Sequence, residues 1–181
     1  MKNSRQSLDK IVDKIVGKCV KNLTNTGAAR ALILACLVLP LTGAAADATL
    51  ILASDLRREA AEATQAGQPL LILYSRQNCT YCAEVRNSWL VPLSHDSRQS
   101  GLQVRQIDQD SDRPLIDFAG HSTTHARFAA TEKIAFVPVV AVYDARGQHL
   151  AEAIVGLRLR DFYGTYLDAL LDKARLHLHA H

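Results

Sequence analysis

The chain has 181 residues, 48% of them apolar, with 21 Lys/Arg against 18 Asp/Glu and a formal net charge of +3. Seven of the basic and two of the acidic residues fall in the first 46 positions, so residues 47–181 carry a net charge of −2. The basic excess belongs to the N-terminal stretch, and a nucleic-acid-binding role loses its compositional support.

That stretch reads as an export leader. No charge interrupts Ala31 to Ala46, Arg30 precedes it, and it ends in Ala44-Ala45-Ala46. A basic flank, a short apolar core and small residues at the end have the form of a signal peptide. A membrane span needs about 20 apolar residues, and Pro40 interrupts this run. Cleavage is expected after Ala46, leaving one domain over 47–181, periplasmic or otherwise exported. The alternative is an uncleaved leader that anchors the protein; membrane contact is expected only through it. Cys36 does not read as a lipoprotein site, because the apolar core continues past it. Within 1–30, Leu8, Ile11, Val12, Ile15 and Val16 fall at helical spacing among lysines, as an amphipathic basic helix or simply an extended leader.

After the leader, Ser54 or Asp55 caps a helix to about Gln65, which Gly67 stops and Pro69 seals. Leu70–Ser75 is a short apolar run, as in a strand buried on both faces. A helix from about Thr80 carries Val85, Trp89 and Leu90 toward the core, and Pro92 ends or kinks it. Leu102–Ile107 alternates as a half-buried strand, and Asp108, Asp110 and Asp112 follow in a solvated loop. A loop with Pro114 and Gly120 leads to a helix from about Thr123 to Lys133. Phe136–Tyr143 and His149–Val155 form a hairpin across Asp144-Ala145-Arg146-Gly147. Leu159, Phe162, Tyr163, Tyr166, Leu167, Leu170 and Leu171 make one face of a closing helix, with His177, His179 and His181 at its frayed end. The order implies an α/β fold with a central mixed sheet of about four strands and helices on both faces.

Cys79-Thr80-Tyr81-Cys82 lies between that buried strand and a helix. Two cysteines at this spacing can close a small ring, and the positive end of a helix favours a thiolate on the first. Such a dithiol needs no further cofactor. Two other readings stay open: a structural disulfide, and half of a thiolate metal site for Cu(I) or Zn, for which His121 and His125 are the available partners. No metal site is nominated.

The segments LILYSRQNCTYCAEV, FVPVVAVYDARGQ and IVGLRLRDFYGTYLDALL together resemble the thioredoxin-like superfamily, in its exported branch of thiol–disulfide oxidoreductases. The resemblance runs from about Gln68 to Ala174 and implies a thioredoxin-like fold. It implies that Cys79 is the attacking thiolate and Cys82 the resolving thiol. Pro138 matches the family's cis-proline, and Val137 would offer its backbone to an extended substrate, with Tyr81 beside them. The implied partners are protein thiols and disulfides together with an upstream redox protein. One position departs from the pattern: Leu73 stands where many thioredoxins carry a buried acid. Glu84 is expected to be solvated and does not replace that acid. Arg76 and Arg86 are expected to face water. The resemblance leaves reductase, oxidase and isomerase open, and the lack of a large inserted domain favours reductase.

Overall fold

The computed structural model describes residues 49–180. The expected leader and His181 lie outside the described residues. Within them no helix is long and apolar enough to cross a membrane. The chain begins with β1 (Ile51–Leu52), α1 (Leu56–Gln65), β2 (Leu70–Ser75) and α2 (Thr80–Val85). A π-helical turn over Arg86–Leu90 leads into α3 (Val91–Ser94), then β3 (Gln103–Asp108). A hairpin of β4 (Pro114–Ile116) and β5 (Ser122–Thr124) precedes α4 (His125–Thr131). The chain closes with β6 (Val139–Tyr143), β7 (Ile154–Val155) and α5 (Tyr163–His179).

The main sheet has five strands in the order β1-β3-β2-β6-β7, one more than expected. β1 and β2 run parallel to β3, whereas β6 is antiparallel to β2 and β7 antiparallel to β6. All six residues of β2 are buried, because the strand is central and covered on both faces. Its alternation divides the core. Leu71 and Leu73 join Val140 and Val142 against Val85, Leu90, Leu167 and Leu171 of the redox-motif and C-terminal helices. Leu70, Ile72 and Tyr74 join Ala141 and Tyr143 against Leu56, Ala60 and Ala63 of α1 and Phe128 of α4. Each aliphatic side chain so buried contributes about 2 kcal/mol.

α1 keeps its expected bounds, and of the two expected caps it takes Asp55, whose carboxylate accepts the Arg58 N–H at 2.9 Å. Several other expected boundaries move, each for a local reason. Pro92 does not end its helix. It lacks the N–H for a regular α bond, and the preceding turn widens to π, with the Val91 N–H reaching the Arg86 carbonyl. The segment 114–124, expected as loop, contains the β4–β5 hairpin, so α4 starts at His125 with Thr124 as its cap. It stops at Thr131 because Lys133 turns left-handed at φ +58°. Asp108 is the last residue of β3 and not part of a loop.

The expected strand 136–143 begins only at Val139, after a cis peptide between Val137 and Pro138. The expected strand 149–155 survives as a bridge at His149 and the pair Ile154–Val155. Tyr143 faces His149 but Val140 faces Ile154, so two extra residues bulge out between them. In the closing helix, Tyr163, Leu167, Leu170, Leu171 and Ala174 form the buried face and Tyr166 stays exposed, while Leu159 and Phe162, expected on that face, precede the helix and are exposed. The helix holds through His179, and His177 Nδ1 contacts the Leu150 carbonyl.

Candidate active site

β2 delivers the chain to the site. Arg76, Gln77 and Asn78 turn it after Ser75, with Asn78 at φ +53°, a left-handed conformation that asparagine tolerates better than most residues. The Gln77 N–H donates to the Asp110 carboxylate at 3.0 Å, tying this turn to the loop after β3. Cys79 then takes the cap position of α2 in extended conformation, and its sulfur accepts the Cys82 N–H at 3.1 Å. The two cysteines form a disulfide with an S–S distance of 2.03 Å and Cα atoms 5.2 Å apart.

The sulfurs differ in access. Cys79 is half-buried and opens on a cleft of about 640 Å³, whereas Cys82 is 1% exposed. Around them the sheet brings together residues distant in sequence. Because β6 is antiparallel to β2 and Val139 pairs with Tyr74, Val137 and Pro138 lie at the end of β2 that leads into the CxxC motif. Pro138 is buried, Val137 half-buried, and the Gly156 N–H donates to the Pro138 carbonyl at 2.8 Å. Among the described residues the Val137 N–H and carbonyl make no backbone hydrogen bond. Tyr81 and Phe136 are 60% and 76% exposed.

Leu73 is fully buried, so no carboxylate lies at that position of β2. A polar chain occupies the neighbouring strand instead. Gln106, the register partner of Leu73 on β3, accepts from Arg86 Nη1 at 3.0 Å and donates to Asp108 Oδ1 at 2.7 Å. Arg86 is therefore held against the strand and does not simply face water. Gln106 and Asp108 line the cleft with Cys79, and neither was marked by any motif. Only their alternation on β3, and its parallel pairing with β2, carried the information. Glu84 is not free in solvent either: its carboxylate pairs with Arg160 at 2.8 Å.

His121 and His125 do not share a helix face. His121 is exposed in the hairpin turn beside Asp117. His125 is fully buried, its Nδ1 accepting the Asp108 N–H at 3.1 Å and its Nε2 lying 2.9 Å from the Ala53 carbonyl. Since Nδ1 accepts, the proton sits on Nε2, and both ring nitrogens are satisfied by backbone. No cluster of three or more metal-ligating side chains occurs among the described residues. Trp89 packs its ring 4.7 Å from that of Tyr163, on the redox-helix side of the sheet.

The profile of the Thioredoxin-like domain matches residues 56–171. Solved structures similar to the chain include oxidised mitochondrial thioredoxin 3 from Saccharomyces cerevisiae. It is 15% identical, with 68% of this chain and 93% of that one covered and a TM-score of 0.46. A poplar thioredoxin h is 18% identical, with 65% and 96% covered and a TM-score of 0.46. No curated protein matches the chain in sequence. The profile match takes in well over half the chain, including both cysteines, Pro138 and the first half of α5, and the chain belongs to the thioredoxin-like domain family.

Proposed function

We propose that this protein is an exported thiol–disulfide oxidoreductase that works mainly as a reductant of protein disulfides. The observation that carries the reading is the unequal access of two bonded sulfurs, Cys79 at an open cleft and Cys82 beneath it. In the reduced protein, the Cys79 thiolate is stabilised by its place at a helix start. It attacks one sulfur of a substrate disulfide, forming a Cys79–substrate disulfide and releasing the first substrate thiolate. Cys82, once deprotonated, attacks the Cys79 sulfur and releases the second. Two electrons pass to the substrate, and the protein is left with the bond seen here.

Val137 and Pro138 border the reacting pair, and the uncommitted Val137 backbone suits pairing with an extended substrate strand. Tyr81, exposed between the cysteines, offers a ring for the substrate to pack on. With Leu73 in place of an acid, the proton from Cys82 leaves through water or the departing substrate thiolate. Support for export comes from the leader-like sequence of residues 1–46. Support for the reductant direction comes from the short stretch between β3 and α4, where among the described residues the β4–β5 hairpin is the only inserted regular structure. Exported oxidases of the branch it resembles often carry a larger domain.

Cys79→Ser is expected to abolish reduction of insulin disulfides; retained turnover would remove Cys79 from the nucleophilic role. Equilibration with a glutathione series tests the direction. A potential near −270 mV agrees with a reductant, and one near −120 mV would mark an oxidant.

A further inference from the structure

The cleft beside Cys79 carries a charge pattern that the exchange reaction itself does not require. Arg76 and Arg86 both line it, and among the described residues neither makes an ion pair. Arg86 is fixed by a single bond to Gln106, which is 6% exposed and is itself held by Asp108. A guanidinium has five N–H donors, so most of those on Arg86 remain uncommitted. Asp108 is the one carboxylate lining the cleft, and its Oδ1 is taken by the Gln106 amide. Asp110 accepts the Gln77 N–H and does not line the cleft. Glu84, on the same helix as the cysteines, is neutralised by Arg160. The cleft wall thus bears a net positive charge within a domain whose overall charge is −2.

We propose that this cleft selects substrates with a carboxylate close to the reacting sulfur, that is, protein disulfides flanked by Asp or Glu, with Arg76 and Arg86 as the specificity-determining residues. The proposal rests on the thiol-exchange reading of the same site. Guanidinium groups match carboxylates in shape and can hold them through paired hydrogen bonds. A carboxylate engaged there would place its neighbouring disulfide over Cys79, the cysteine that lines the cleft. The electron transfer is unchanged: the Cys79 thiolate bonds to one substrate sulfur, the other leaves as a thiolate, and Cys82 completes the two-electron step.

The test uses the reduced full-length protein with three small disulfides of differing charge: dithiodipropionate (anionic), 2-hydroxyethyl disulfide (neutral) and cystamine (cationic). The quantity read is the ratio of the anionic to the neutral second-order rate constant, which divides out changes in Cys79 reactivity. The double variant Arg76→Gln/Arg86→Gln is expected to lower this ratio about tenfold at low ionic strength, each exposed charge pair accounting for up to about fivefold. Added salt should erode the ratio of the unaltered protein. Arg86→Lys, which keeps the charge, should retain most of it, and Asp108→Asn should raise it. A ratio indifferent to the arginines and to salt, with all three compounds reduced, overturns the selection proposal and leaves thiol exchange standing. Failure to reduce any of the three, together with failure to reduce insulin disulfides, overturns both.

Discussion

Tyr143→Phe should destabilise the protein far more than Tyr74→Phe, although the two hydroxyls touch each other. Both rings are fully buried and their oxygens lie 2.6 Å apart. Tyr143 also donates to Glu132 Oε2 at 3.0 Å. A phenol has one proton, so with that of Tyr143 given to a carboxylate, the short contact must be donated by Tyr74. Removing the Tyr74 hydroxyl deletes one neutral bond and leaves Tyr143 still satisfied through Glu132, a loss of about 1 kcal/mol. Removing the Tyr143 hydroxyl deletes a charge-assisted bond and strands the buried Tyr74 O–H, a loss of about 3 kcal/mol. The double phenylalanine variant strands nothing and should cost less than the sum of the singles. Urea unfolding of the oxidised protein measures all three as midpoint shifts at constant slope. A Tyr74→Phe loss equal to or larger than that of Tyr143→Phe would refute the direction of the chain.

His125→Phe keeps the ring volume but leaves the Ala53 carbonyl and the Asp108 N–H without their partner, so a loss of about 2–4 kcal/mol is expected in the same assay; a loss under about 1 kcal/mol contradicts the reading. Burial holds the Tyr74 and Tyr143 hydroxyls well above the ordinary phenol value of about 10. Above that pH the unfolded chain releases protons that the folded chain keeps, so this part of the stability is complete below about pH 10 and falls as pH rises further. Stability that stays level between about pH 10 and 12 would contradict this sign.

The parts legible in sequence were those with an unbroken physical signal. Leu70–Ser75 shows as a strand because a run buried on both faces is apolar at successive positions, here Leu70 to Leu73, and the CxxC motif marks the helix that follows. Val139–Tyr143 shows for the same reason, and Tyr163–Ala174 through its helical spacing. What was hidden depends on partners distant in the chain. β1 is two residues long and exists because β3 offers it a free edge. The strands of the β4–β5 hairpin have three residues each, too few to establish a period. The bulge between β6 and β7 follows from register, which no local pattern encodes. The same holds at the site. Cys79, Cys82 and Pro138 stand out by residue type, but Arg86, Gln106 and Asp108 become one chain of hydrogen bonds only when β3 pairs with β2 beneath α2.

The most direct measurement is partial alkylation of the fully reduced protein with substoichiometric iodoacetamide at neutral pH, followed by peptide mass spectrometry. A half-exposed sulfur at a helix start above a buried one should give modification of Cys79 over Cys82 by about tenfold or more. Equal labelling, or preference for Cys82, would contradict the assignment of attacking and resolving sulfurs on which the mechanism stands.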